Sequence, residues 1–222
     1  MKISSIYSIL LLLVACNLDS NKDTVAFTQK NWVIEQQEGG TVFLNNTNME
    51  IIDAKGCTIW YRNKIKEPLQ IDYIVEVIDQ GGPHDRVSDL NCFWMANDPN
   101  EPNNFFINSE SRKGKFNNYH SLTQYYVGFG GHNNTKTRFR RYNGEQNRPL
   151  LPEHDLSGDN YKIFANKDIH ITITVENNTT VYKKDGEIIF KYQDNAPYRT
   201  GYFGFRTVNN HMVIKSFKII NL

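Results

Sequence analysis

The chain has 222 residues with 25 Lys and Arg against 24 Asp and Glu. One all-β domain fills that length without dividing, and the near-zero balance removes any bulk electrostatic case for nucleic acid as a partner. The sequence also lacks His-Glu-x-x-His, paired Cys-x-x-Cys, a phosphate-binding loop and a Gly-x-Ser-x-Gly elbow, which argues against zinc-protease, nucleotide and esterase chemistry.

Residues 1–15 read as a signal peptide. Met1-Lys2 is followed by an apolar run from Ile3 to Val14, broken only by Ser4, Ser5, Tyr7 and Ser8, too short to anchor stably across a hydrocarbon core of about 30 Å. Leu13-Val14-Ala15-Cys16 matches the bacterial lipobox, in which small residues admit a peptidase to the bond before a diacylglycerol-modified cysteine. Cys16 is therefore the expected lipidation site, and the expected location is the bacterial cell envelope, outer membrane or periplasmic face, held by the lipid anchor only. Removing residues 1–15 takes away Lys2 and leaves 24 basic against 24 acidic residues. Residues 16–24 are polar and read as a tether, with a single domain expected over 25–222.

From Val25 onward the period becomes two. Ile71, Tyr73, Val75 and Val77 alternate with Asp72, Ile74, Glu76 and Ile78, a strand with one strongly apolar face. A glycine-rich turn follows, and then His84, Asp85, Arg86, Ser88, Asp89 and Asn91 crowd polar groups into a short stretch. If Leu90, Cys92 and Trp94 face one way, Asp89, Asn91 and Phe93 face the other. Cys57 and Cys92 both sit in apolar sequence; an exported protein permits a disulfide between them, and two buried thiols fit equally well. The run from Asn97 to His120, with Asp98-Pro99-Asn100-Glu101-Pro102, reads as a long surface loop.

Gly128 to Asn134 then leads into Arg138-Phe139-Arg140-Arg141-Tyr142, where alternation puts Arg138, Arg140 and Tyr142 on one face. Guanidinium groups two residues apart on a strand stand about 7 Å apart, close enough to hold one anionic sugar between them. Ile169, Ile171, Ile173 and Val175 alternate cleanly, and Thr180–Lys183, Asp185-Gly186 and Glu187–Tyr192 read as a hairpin whose Asp-Gly turn requires positive φ. Tyr202–Val208 and Met212–Ile220 read as two more strands, joined at Asn209-Asn210 and carrying Arg206 and His211. Trp60, Tyr61 and Trp94 could stack on sugars, but Trp60 and Trp94 lie in apolar strand sequence where packing is the commoner fate. Strands at this spacing without long helices indicate a sandwich or jelly roll.

The tail, from Asp185-Gly186 through Asp194, Pro197-Tyr198 and Gly201–Thr207 to Phe217-Lys218-Ile219, resembles the end of concanavalin A-like jelly-roll domains. It is similar in particular to lipoproteins and secreted domains of bacterial polysaccharide-utilisation loci, and the segments Asp85–Ala96 and Tyr125–Tyr142 are similar to one poorly characterised family of them. The resemblance covers most of Trp32–Leu222. It implies an all-β fold, a concanavalin A-like jelly-roll β-sandwich, and a glycan as substrate or ligand.

An acidic glycan suits the residue types. β-Elimination at a uronic acid requires cations or amides on the carboxylate, a base for the C5 proton and an acid for the leaving oxygen. Arg138, Arg140 and Asn91 suit the first role, His84 or His132 the second, and Tyr126 or Tyr142 the third. Arg86, Asp89, Arg206 and His211 are further candidate substrate contacts. No cofactor is required, although calcium held by Asp85, Asp89 and nearby carbonyls is an arrangement the loop allows. The Glu-x-Asp-x-x-Glu strand motif of retaining glucanases is missing, so no paired-carboxylate glycosidase site can be placed. Two alternatives stand beside the lyase: a non-catalytic glycan-binding lipoprotein, and, from the likeness of the tail, a hydrolase or lyase of 3-keto-disaccharides.

Overall fold

The structure, a computed structural model, describes residues 23–222. The expected signal peptide, Cys16 and most of the 16–24 tether lie outside the described residues. Fifteen strands are present among those residues. In chain order they are β1 (Trp32–Gln36), β2 (Thr41–Asn45), β3 (Asn48–Asp53), β4 (Cys57–Tyr61), β5 (Ile65–Lys66), β6 (Leu69–Val77), β7 (Leu90–Asn97) and β8 (Thr123–Gly130). There follow β9 (Lys136–Asn143), β10 (Asp155–Leu156), β11 (Asp168–Glu176), β12 (Thr179–Lys184), β13 (Glu187–Gln193), β14 (Thr200–Thr207) and β15 (Asn210–Asn221). The front sheet runs β1-β4-β14-β7-β8-β9-β10 with β5 paired to β14, and the back sheet runs β13-β12-β11-β6-β15-β3-β2. Two such antiparallel sheets, face to face, are a concanavalin A-like jelly-roll sandwich.

The alternation that marks β6 and β11 becomes burial. Leu69, Ile71, Tyr73, Val75 and Val77 point inward, as do Ile169, Ile171, Ile173 and Val175, while the residues between them stay partly solvated. The strands pair antiparallel with Ile171 opposite Tyr73. Between the sheets aromatic rings interlock: Tyr73 meets Phe205 edge-on at 5.1 Å, Trp32 stacks on Phe205 at 5.6 Å, and Trp94 donates its indole N–H to Thr180 Oγ1 at 3.0 Å. Burying each such side chain contributes about 1.5–3 kcal/mol. Cys57 and Cys92 are free, buried thiols, and burial pushes the Cys92 thiol up to about 12.

The front sheet is covered on its other face as well. The run from Asn97 to His120 reads as a surface loop in sequence, but segment 98–122 folds back in short helical turns and inserts Phe105, Tyr119 and Leu122 against Trp60, Phe93, Tyr126 and Tyr142. Its fastening is polar and deep. Arg112 Nη2 donates to Glu35 Oε1 at 2.7 Å, its Nε to both carboxylate oxygens at 3.1 and 3.2 Å, and the Tyr119 hydroxyl to Glu35 Oε2 at 2.6 Å. Gly114 passes so near β1 and β4 that a Cβ there would lie 2.3 Å from the Gly56 carbonyl oxygen. Arg206, 2 % exposed, donates to that same Gly114 carbonyl at 2.5 Å. No helix among the described residues is long and apolar enough to cross a membrane.

Candidate functional site

A cavity of about 310 Å³ opens on the front sheet beside segment 98–122. Its strand residues come from the outward positions of two neighbours, Tyr126 and Gly128 of β8 and Lys136, Arg138 and Arg140 of β9. Tyr126 stands opposite Arg140, and Gly128 opposite Arg138. A Cβ at Gly128 would approach the Tyr126 hydroxyl to 2.8 Å, so a larger residue there would displace the Tyr126 ring. The remaining wall is Arg86, Asp89, the turn 131–133, Phe116 and Arg148.

The 131–133 turn is held in an uncommon conformation. His132, Asn133 and Asn134 all have left-handed φ, at 52°, 55° and 61°, which costs of order 1 kcal/mol per residue. Hydrogen bonds over-determine it. Arg86 Nη1 donates to Asn133 Oδ1 at 2.7 Å, and Asn134 both donates to the Ile163 carbonyl and accepts from its N–H at 2.8 Å. His132 is thereby placed so that Arg138 Nη1 donates to its Nε2 at 2.5 Å; the ring proton then resides on Nδ1.

Five cations, Arg86, Lys136, Arg138, Arg140 and Arg148, line the cavity, and two carboxylates answer them. Asp89 pairs with Arg86. Asp155 of β10 takes Arg138 in two bonds, at 2.9 and 3.1 Å, with Lys136 Nζ at 3.7 Å, and the Arg138 hydrogen bond holds the Asp155 carboxyl below its usual range. Among the described residues Arg140 and Arg148 have no carboxylate partner. Arg140 Nη1 donates to the carbonyls of Arg148 and Pro149, and its buried Nε has no partner among the described residues. Burial, then the nearby Arg148, lowers the Arg140 pKa. Arg148 lies over the Phe116 ring at 4.6 Å and donates to the Tyr142 hydroxyl at 3.2 Å. Burial, followed by Arg148, Arg140 and Arg206, depresses His120 to about 4, so this ring stays neutral. The Tyr126 hydroxyl makes no hydrogen bond within the described protein, and burial of the ring raises its pKa.

Of the residues expected from sequence, the cavity gathers Arg86, Asp89, Tyr126, His132, Arg138 and Arg140. The others lie elsewhere, each for a visible reason. Tyr142 is wholly buried beneath the site. Asn91, 4 % exposed, sits on β7 between Gly128 and Arg206, reaching Asp89 at 3.4 Å. Arg206 is spent on Gly114 and Thr58. His84 bonds Asn209 at 3.1 Å, and His211 bridges Asp85 at 2.8 Å and Glu50 at 2.9 Å, away from the cavity. The calcium arrangement of Asp85 and Asp89 is not formed. Asp85 accepts the Gln80 and Gly82 N–H groups as well as His211, whereas Asp89 turns to Arg86. Among the described residues no group of three or more His, Cys, Asp or Glu is placed to hold a metal. Trp60 and Trp94 are both fully buried.

Lys136, Phe116, Arg148 and Asp155 were not singled out by sequence. Lys136 continues the Arg138/Arg140 alternation by one step and was open to detection; Arg148 and Phe116 come from segments with no period.

The sequence matches the family described as a domain of unknown function (DUF6250) over residues 51–217. No curated protein matches. Among solved structures, a Bacillus subtilis protein of unknown function with a galectin-like fold aligns with TM-score 0.64 at 15 % identity, covering 86 % of this chain and 90 % of that one. A β-1,3-1,4-glucanase (lichenase) derived from a mouse hindgut metagenome aligns with TM-score 0.58 at 12 % identity, covering 90 % and 98 %. The exoplasmic/lumenal domain of VIP36, bound to Ca²⁺ and Man3GlcNAc, aligns with TM-score 0.56 at 14 % identity, covering 91 % and 89 %. At these identities the likeness is one of fold.

Proposed function

Because the chain belongs to the DUF6250 family, whose description names no activity, we propose its role from the cavity itself: it binds an acidic glycan, with the sugar's anionic group on Arg140 and Arg148. The observation that carries this is the charge imbalance, five cations against two carboxylates, with these two guanidinium groups left without a counter-charge. Arg140 is buried and Arg148 stands exposed at the cavity wall, and a carboxylate or sulfate is the counter-charge that both lack. The glycan in VIP36 and the glucan-degrading enzyme on the same fold support a sugar as the source of that anion. In the same reading the lipobox-like Leu13-Val14-Ala15-Cys16 supports binding at the bacterial cell envelope. Calcium is not required, because the arginines supply the positive charge, and chelation should leave affinity unchanged.

The test is calorimetric titration of residues 17–222 with acidic and neutral polysaccharide fragments. Acidic fragments should bind, and Arg140→Ala should weaken them about 10- to 100-fold, the range for losing one charge-assisted contact. Equal affinity for neutral fragments would overturn the reading.

A catalytic version is favoured by the unbonded Tyr126 hydroxyl beside Arg140. In a β-elimination the sugar carboxylate would rest on Arg140 and Arg148 while the C5 proton passes to His132 Nε2, which gives up its Arg138 hydrogen bond. The C4–O bond would break as the C4–C5 double bond forms, and Tyr126 would protonate the leaving oxygen. Ultraviolet absorbance of the unsaturated product, lost in Tyr126→Phe, tests it; binding without that product removes it.

A further inference from the structure

A second cavity, about 500 Å³, adjoins the first across a shared wall. Phe116 and Arg148 line the first, whereas Asn117 and Gln146 line the second. The turn at 116–121 and the loop at 145–148 therefore separate the two, tied together where Arg148 covers Phe116.

The chemistry changes across that wall. The second cavity has one carboxylate, Asp98, and one cation, Arg112, both buried and both engaged. Asp98 accepts from the Asn100 N–H at 3.0 Å and from Asn108 Nδ2 at 2.9 Å, and Arg112 is held by Glu35. Asn118 donates to the Ser111 carbonyl at 2.8 Å. These bonds frame a lining in which the side-chain amides of Asn100, Asn117 and Gln146 have no hydrogen-bond partner among the described residues. Each such amide offers two donors and two acceptor lone pairs, which is the complement of vicinal hydroxyls and is indifferent to charge.

We propose that this cleft is a subsite for an uncharged sugar, contiguous with the anionic one, so that the ligand is an acidic heteroglycan whose charged and neutral residues straddle the Phe116–Arg148 wall. The proposal rests on the acidic-glycan reading and adds the second residue to it. A polymer of uronates alone would put a carboxylate in a cleft that has no free cation to receive it.

The probes are oligomers of equal length: oligogalacturonate as the homopolymer, and hyaluronan, chondroitin and glucuronoxylan fragments as heteropolymers, titrated into residues 17–222. At least one heteropolymer should bind tenfold or more tightly than the homopolymer. The double variant Asn100→Ala/Asn117→Ala should abolish that advantage while leaving oligogalacturonate affinity unchanged; both asparagines are exposed, so folding is spared. A double variant that binds every probe as the parent does, or a parent that prefers the homopolymer, overturns the subsite while Arg140→Ala still weakens all probes. If the parent binds no acidic probe, the acidic-glycan reading falls and the subsite falls with it.

Discussion

His120 shows what burial beside the cavity's charge does to a single side chain. Packed against Tyr142 at 5.9 Å and surrounded by Arg148, Arg140 and Arg206, it titrates near 4 in the folded protein and near 6.5 when unfolded. Between those values the unfolded chain binds a proton that the native one refuses. Stability from this group is thus complete above pH 6.5 and is lost as pH falls toward 4, by at most about 3 kcal/mol. Urea unfolding of the parent and of His120→Asn across that window should show the parent losing more stability on acidification; parallel curves would contradict the assignment. His120 itself carried no signal in sequence. It lies in a stretch without period, and its neutrality comes first from burial and then from arginines on the 145–148 loop, β9 and β14.

Among the elements, segment 98–122 depends on one buried carboxylate. Glu35→Ala would strip Arg112 of its partner and Tyr119 of its acceptor, leaving a buried charge uncompensated at a cost of about 3–5 kcal/mol. The expected outcome is a lower urea midpoint together with weakened glycan affinity, because Phe116 reaches the cavity from that segment. Tyr119→Phe keeps the ring but takes a donor from Glu35 and the acceptor of the Gly114 N–H, and should cost less, about 1–3 kcal/mol. The sequence was a good guide to the strands beneath. Alternating Ile and Val in β6 and β11 and the Asp185-Gly186 turn between β12 and β13 appear where period two and turn chemistry put them, because those rules act locally. The alternation of Arg138 and Arg140 likewise located one wall of the cavity. It could not locate the other wall, since the contact of Arg148 with Phe116 joins two irregular segments about thirty residues apart, and no local rule spans that separation. Arg206 and Tyr142 misled for the same reason: alternation gives their face, and only the fold reveals that segment 98–122 covers it.

For the molecule as a whole, the two thiols are a further check. Cys57 and Cys92 are free and buried on strands that flank β14, so a maleimide should label neither in the native domain and both after unfolding. Labelling of native protein would show that the sheet opens, and failure to label unfolded protein would reveal a disulfide. The last 23 residues of the sequence, from Thr200 onward, fill a middle place in both sheets: β14 lies between β4 and β7, and β15 between β6 and β3. Neither layer can close until the β14–β15 hairpin has been made. Folding must await that hairpin, through pairings between residues as far apart as Asn210 and Asp53. Such distant pairings make for slow folding. Deleting residues 200–222 should accordingly yield no cooperative unfolding transition at all, rather than a smaller stable domain.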